Sequence, residues 1–170
     1  MFSALLPLLT PALGSAADVM ERGATIAVID FNYIDTSGEE RDQRSEHEAR
    51  LKDFMSALRR DLAAGDKLRS VAPVCRPEPC SLTPSTQGGL LGAAREAGAD
   101  ILLLGGIHKV STLVQQVRIE AIDTKTGQVV LDRFFTFRGD TDEAWRRAEA
   151  FISDQLGSLL PRRYEGARPR

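Results

Sequence analysis

Apolar and polar positions change period along this chain, and each change predicts an element. Thr25 to Ile34 (TIAVIDFNYI) carries β-branched and aromatic residues facing both ways, the pattern of a strand covered on two sides, interrupted by Asp30. After the polar loop Asp35 to Arg44, Leu51, Phe54, Met55, Leu58 and Leu62 recur at helical spacing and form one stripe. Ser45 and Glu48 make a capping box that opens this helix, and Gly65 stops it. A short strand follows over Lys67 to Pro73, anchored by Leu68 and Val71, and then a helix around Gly89 to Ala97 whose small residues allow close packing on a sheet.

Gly98 reads as a left-handed helix cap, and Ile101 to Leu104 as a strand buried on both faces at the centre of the sheet. From Thr112 the period becomes two. Leu113, Val117, Ile119 and Ala121 form a dry face, with Gln116, Arg118 and Glu120 on the wet one. Asp123 to Gly127 is a tight hairpin connection, and Val129 to Arg138 returns as a strand carrying Phe134, Phe135 and Phe137. Asp140 and Glu143 form a second capping box, Trp145, Ala148, Ile152, Leu156 and Leu159 a final helical stripe, and Pro161 its end. The order β-α-β-α-β-β-β-α, with right-handed crossovers, predicts a mixed α+β fold of the α/β type. Its sheet has five strands, the first three parallel, with three helices packed on it.

Composition narrows the function. The chain has 170 residues, 42% hydrophobic and 27% charged, with a net charge of −2, which suits one domain and gives no electrostatic footprint for nucleic acid. Leu5 to Leu13 followed by Gly14-Ser15-Ala16-Ala17 reads as a signal peptide over residues 1–17, too short for a transmembrane helix and without a lipidation cysteine. The domain then occupies 18–161 and a basic flexible tail 162–170. In an exported chain Cys75 and Cys80, with Pro77 and Pro79 keeping the loop between them bent, form a local disulfide that contributes about 2 kcal/mol at most.

Candidate chemistry is sparse. His47 and His108 are the only histidines, and neither joins a metal-ligand spacing or a nucleophile motif, so no metal, cofactor or catalytic residue is assigned. Gly88-Gly89 and Gly105-Gly106 make no phosphate loop. The residues expected to converge on an interaction surface are Lys109, Ser111, Asp140, Asp142 and Trp145, with Asp30 as a further ligand contact; Trp145 also fits the core. Shifted groups at Asp30, Lys109 and Asp142 would instead suit an enzyme.

AVIDFNYIDTS (Ala27 to Ser37), GADILLLGGIHKVSTL (Gly98 to Leu113), DTKTGQVV (Asp123 to Val130) and RGDTDEAWRR (Arg138 to Arg147) resemble a family of small secreted bacterial proteins of unknown function. More distantly, the strand order and the Gly98-Ala99-Asp100 strand-hairpin pattern are similar to the N-terminal domain of TolB and to the curli-secretion lipoprotein CsgG. That resemblance implies a periplasmic or secreted, non-enzymatic module that binds an envelope protein. The accessory subunit of a periplasmic redox enzyme is the alternative. It implies neither an oligomeric state nor a partner's identity.

Overall fold

The computed structural model describes residues 23–73, 75, 80 and 87–167. The expected signal peptide, 1–17, lies outside them, as do Arg168 and Arg170 of the expected tail. In chain order the elements are β1 (Ala24–Val28), β2 (Asn32–Asp35), α1 (Arg44–Ala64), β3 (Leu68–Val71), α2 (Gln87–Glu96), β4 (Ile101–Ser111), β5 (Val114–Asp123), β6 (Val129–Arg138) and α3 (Asp142–Ala167). One mixed sheet runs β3-β1-β4-β5-β6, with β2 also paired to β4. The β1, β2 and β3 pairings are parallel and the β4-β5-β6 meander is antiparallel.

The expected central strand is central, and it is longer than its apolar run. Ile101 to Leu104 is backed by β1, and the polar continuation to Ser111 by β2. The stretch expected as one strand, Thr25 to Ile34, is therefore two. Val28 pairs with Leu103 and Asn32 with Gly106, so four steps along the first chain match three along β4. The extra residue turns the chain outward, as a bulge does, and Asp30 is displaced to the surface.

Side-chain alternation then sorts the core into two layers. Ile26, Val28, Leu103, Ile107, Val117 and Ile119 meet Phe54 and Leu58 of α1 and Trp145, Ile152 and Leu156 of α3. On the opposite face Ala27, Ile29, Leu102, Leu104 and Ile122 meet Leu90 and Ala94 of α2, with the Cys75–Cys80 disulfide beside them. Gly98 and Gly127 take the positive φ expected of them, 75° and 72°.

Four expectations fail locally. Leu113 belongs to the β4-β5 turn and is 60% exposed; Gln115 occupies the next inward position instead. The Ser45–Glu48 box does not form: Gln43 is the cap of α1, without a side-chain cap bond. At α3 the cap is Thr141, whose hydroxyl accepts from the Ala144 N–H at 3.2 Å, leaving Asp140 free for other partners. Pro161 does not end α3, which continues to Ala167 because Leu160, Pro161 and Tyr164 are all buried, and the Tyr164 hydroxyl donates to Asp100 at 3.2 Å. Residues 162–167 of the expected flexible tail are thus helical.

Candidate functional site

β4 leaves its apolar run at Gly105 with bare backbone on both faces. A Cβ at Gly105 would stand 2.5 Å from the Phe31 ring, and one at Gly106 would stand 2.1 Å from Asn32 Oδ1. These glycines let the β1-β2 bulge close over the strand. Beyond them His108 and Lys109 point to opposite faces. The two faces have very different chemistry.

On the helix side Lys109 is fully buried, a position a lysine holds only when its charge is paired. Its ammonium donates to Asp140 Oδ2 at 2.7 Å, to Gln43 Oε1 at 2.6 Å and to Glu39, with the Asp35 carboxylate 3.9 Å away. Asp140 Oδ2 also meets His47 Nε2 at 2.8 Å, while Oδ1 accepts from Arg50 at 2.9 Å and from the Trp145 indole at 3.3 Å. Arg50 extends the network to Asp142 at 2.8 Å. Tyr33, His47 and Trp145 pack as rings around it, Tyr33 and His47 with centroids 4.7 Å apart.

The electrostatics follow from these bonds. Burial alone would lower the Lys109 pKa, but hydrogen bonds to Asp140 and Glu39 outweigh it and hold the ammonium charged above its ordinary range. Burial pushes the Asp140 carboxyl up, yet donation from Lys109 and His47 brings it below the usual carboxylate value. Asp35 is likewise depressed: burial opposes the charge, and the Ser37 hydrogen bonds and then Lys109 overcome it. Tyr33 is pushed far up by burial and by the Asp35 and Asp140 charges. Among the described residues, Tyr33 Oη and both amide atoms of Gln115 are buried with no hydrogen-bond partner; Gln115 lies opposite Lys109 in the β4-β5 register.

Of the expected residues, Lys109, Asp140 and Trp145 meet directly, and Asp142 joins them through Arg50. Ser111 ends β4 opposite Val114, with no side-chain hydrogen bond to the network among the described residues. Asp30 is apart, paired with Arg59 of α1, which also donates to the Val28 carbonyl. Sequence reasoning missed Gln43, Glu39, Asp35, His47 and Arg50. They were legible only as a mixed-charge loop and helix start, with no spacing to mark them. No group of three or more His, Cys, Asp or Glu side chains is placed to hold a metal among the described residues.

The opposite face is open. Past the cover of α2, a groove of about 320 Å³ runs across β2, β4 and β5, lined by Asn32, Ile34, Gly106, His108, Arg118 and Glu120. Ile34 is half exposed. Arg118 pairs with Glu120 at 3.1 Å and with Asp132 of β6 at 3.0 Å. Thr36 joins the two faces: its hydroxyl lies 2.7 Å from His108 Nε2, and its amide donates to the Lys109 carbonyl at 2.9 Å.

A family model described as "Protein of unknown function (DUF2380)" matches residues 24–156. No curated protein matches the sequence. Among solved structures the chain is similar to protein XCC0632 from Xanthomonas campestris, at 11% identity and a TM-score of 0.51 over 87% of this chain and 90% of that one. It is also similar to the PelC dodecamer from Paraburkholderia phytofirmans (21% identity, TM-score 0.49, 81% and 88% covered). A third likeness is to TolB from Acinetobacter baumannii (14% identity, TM-score 0.46, 81% and 28% covered). At such identities the XCC0632 likeness concerns the fold alone.

Proposed function

The chain belongs to the family described as a protein of unknown function (DUF2380), and for this member we propose a non-catalytic binding module of the cell envelope, whose open groove takes an extended segment of a partner protein. The observation that carries the reading is the groove itself. It exposes Ile34 beside a formed sheet, and its rim carries both signs of charge in Arg118 and Glu120. A partner segment with one apolar side chain flanked by polar or charged residues fits that lining. The expected export signal and the resemblance to envelope proteins support the location.

The Lys109 network supports a structural role over a catalytic one. A general base or amine nucleophile works when its pKa is brought near the working pH, whereas Lys109 is driven the other way and its three donors are committed to Asp140, Glu39 and Gln43. Asp30 and Asp142, the other two members of the proposed acid-base set, are engaged with Arg59 and Arg50.

A photo-crosslinking side chain at position 34, expressed in cells, tests the reading. The expected result is one discrete protein adduct, absent with the same probe at exposed Glu48 on α1 and lost when Arg118→Glu is added. Adducts at 34 that match those at 48, or that survive Arg118→Glu unchanged, overturn the groove as the binding site.

A further inference from the structure

We propose that β6 pairs edge to edge with β6 of a second copy, in the antiparallel register that sets Phe135 against itself, making a two-fold dimer with one continuous sheet. This goes beyond the groove and does not depend on it. Among the described residues β6 has only β5 as a strand neighbour, so its outer backbone groups are unpaired. Edge strands that avoid pairing are short, bulged, broken by proline, covered or charged, and the exposed charges of β6, Asp132 and Arg138, are of opposite sign. The one irregularity here lies at the start of β6, where Ala121 pairs with Leu131 but Ile122 with Val129. Asp132 to Arg138 is beyond it, regular in register and free of proline and glycine.

Large apolar side chains are exposed on both faces of this edge. Phe134 is 60% exposed on the open face; on the helix face Phe151 of α3 is 58% exposed and meets Phe135 edge-on, with centroids 6.2 Å apart. Self-pairing covers both sets at once, because the two-fold axis passes through the Phe135 pair.

The charges choose the register. Antiparallel pairing sets residues of like hydrogen-bonding type opposite each other, so the axis falls on a residue and the allowed registers differ in two-residue steps along each face. With the axis at Phe135, Asp132 of each copy faces Arg138 of the other, and Phe134 faces Thr136 with the second Phe134 on the diagonal. All four of these outward side chains are exposed. With the axis at Phe134, Asp132 faces Thr136; with the axis at Arg133, it faces Phe134. Neither pairs the charges. A second copy is the occupant that this self-complementarity fits, since an isologous contact requires each residue to meet its counterpart's partner.

Sedimentation velocity on the purified protein, over concentrations up to about 200 μM, tests this. The wild type is expected to be a concentration-dependent dimer that weakens with added salt. Asp132→Arg and Arg138→Asp each place like charges opposite one another twice, and each is expected to weaken dimerisation about tenfold. An equimolar mixture of the two variants recovers the dimer, because each then faces the opposite sign. Circular dichroism melts show whether either variant has lost its fold; if one has, Asp132→Lys or Arg138→Glu replaces it in the same mixing experiment. A wild type that stays monomeric throughout overturns self-pairing and leaves the edge to a strand of another protein. Association unchanged in both variants, or a mixture that recovers nothing, overturns the register and the proposal with it.

Discussion

Asp140 shows how a side chain's role is decided by what else is within reach. By spacing alone it caps a helix, with Glu143 three residues on. In the fold Thr141 caps α3, and Asp140 turns inward to accept from Lys109, His47, Arg50 and Trp145. Position along the chain carries no mark of that choice, because three of the four partners come from β4 and α1. Lys109→Met removes the ammonium that Asp140 and Glu39 share, leaving Asp140 to Arg50 and His47, and is expected to cost about 1.5–3 kcal/mol in urea unfolding. The network's pH signature has a definite sign. Asp140 is depressed in the folded state, so its contribution is intact at neutral pH and is lost as the pH falls through its folded value, below 3.8. Lys109 is raised, so its contribution is intact below 10.5 and is lost as the pH rises through its higher folded value. Glu149, a carboxyl like Asp140, is shifted the opposite way from it. Burial and the nearby Asp61 charge raise its pKa, so the fold favours the protonated acid and loses stability as the pH rises through that raised value. Glu149→Gln keeps the acceptor for Ser153 and is expected to stabilise the protein at pH 7 by up to about 1 kcal/mol, read as a higher melting temperature that vanishes in acid.

Among the elements, those set by their own periodicity were legible and those set by a neighbour were not. The stripes of α1 and α3, the alternation of β5 from Val117 on and the aromatic strand β6 survive in the fold, and so do the turns at Gly98 and Gly127. The division of the first strand was not visible, because the bulge at Asp30 exists only against β4. Nor was the continuation of α3 past Pro161, where the missing N–H is offset by burying Leu160 and Tyr164. Gly105 ties the β4 reading to the bulge. Gly105→Ala drives a methyl into the Phe31 ring and the Arg118 carbonyl and is expected to cost about 1–3 kcal/mol, measured by thermal unfolding. The same substitution at Gly88, which meets nothing within 4 Å, is the control.

At the level of the whole molecule, one sheet face is sealed by α1 and α3 while the other is covered only in part by α2. The sealed face holds the ionic network, and the open one presents the groove. Adjacent residues of β4 serve both, His108 toward the groove and Lys109 toward the network, a split between faces that their residue types alone do not show. The Cys75–Cys80 bridge sits at the margin of the α2 layer and closes a ring of few residues. Its reduction is expected to lower stability by about 2 kcal/mol at most, leaving far-ultraviolet circular dichroism unchanged.

The His47–Asp140 contact spans 93 positions of sequence. A polypeptide made from its N-terminus onward therefore has β3 to pair with β1 soon after α1, but the partners that complete the network and the core arrive later: β4, then Asp140, then the stripe of α3. The long-range contacts that close the core thus wait for the last third of the chain, a topology of the kind that folds slowly.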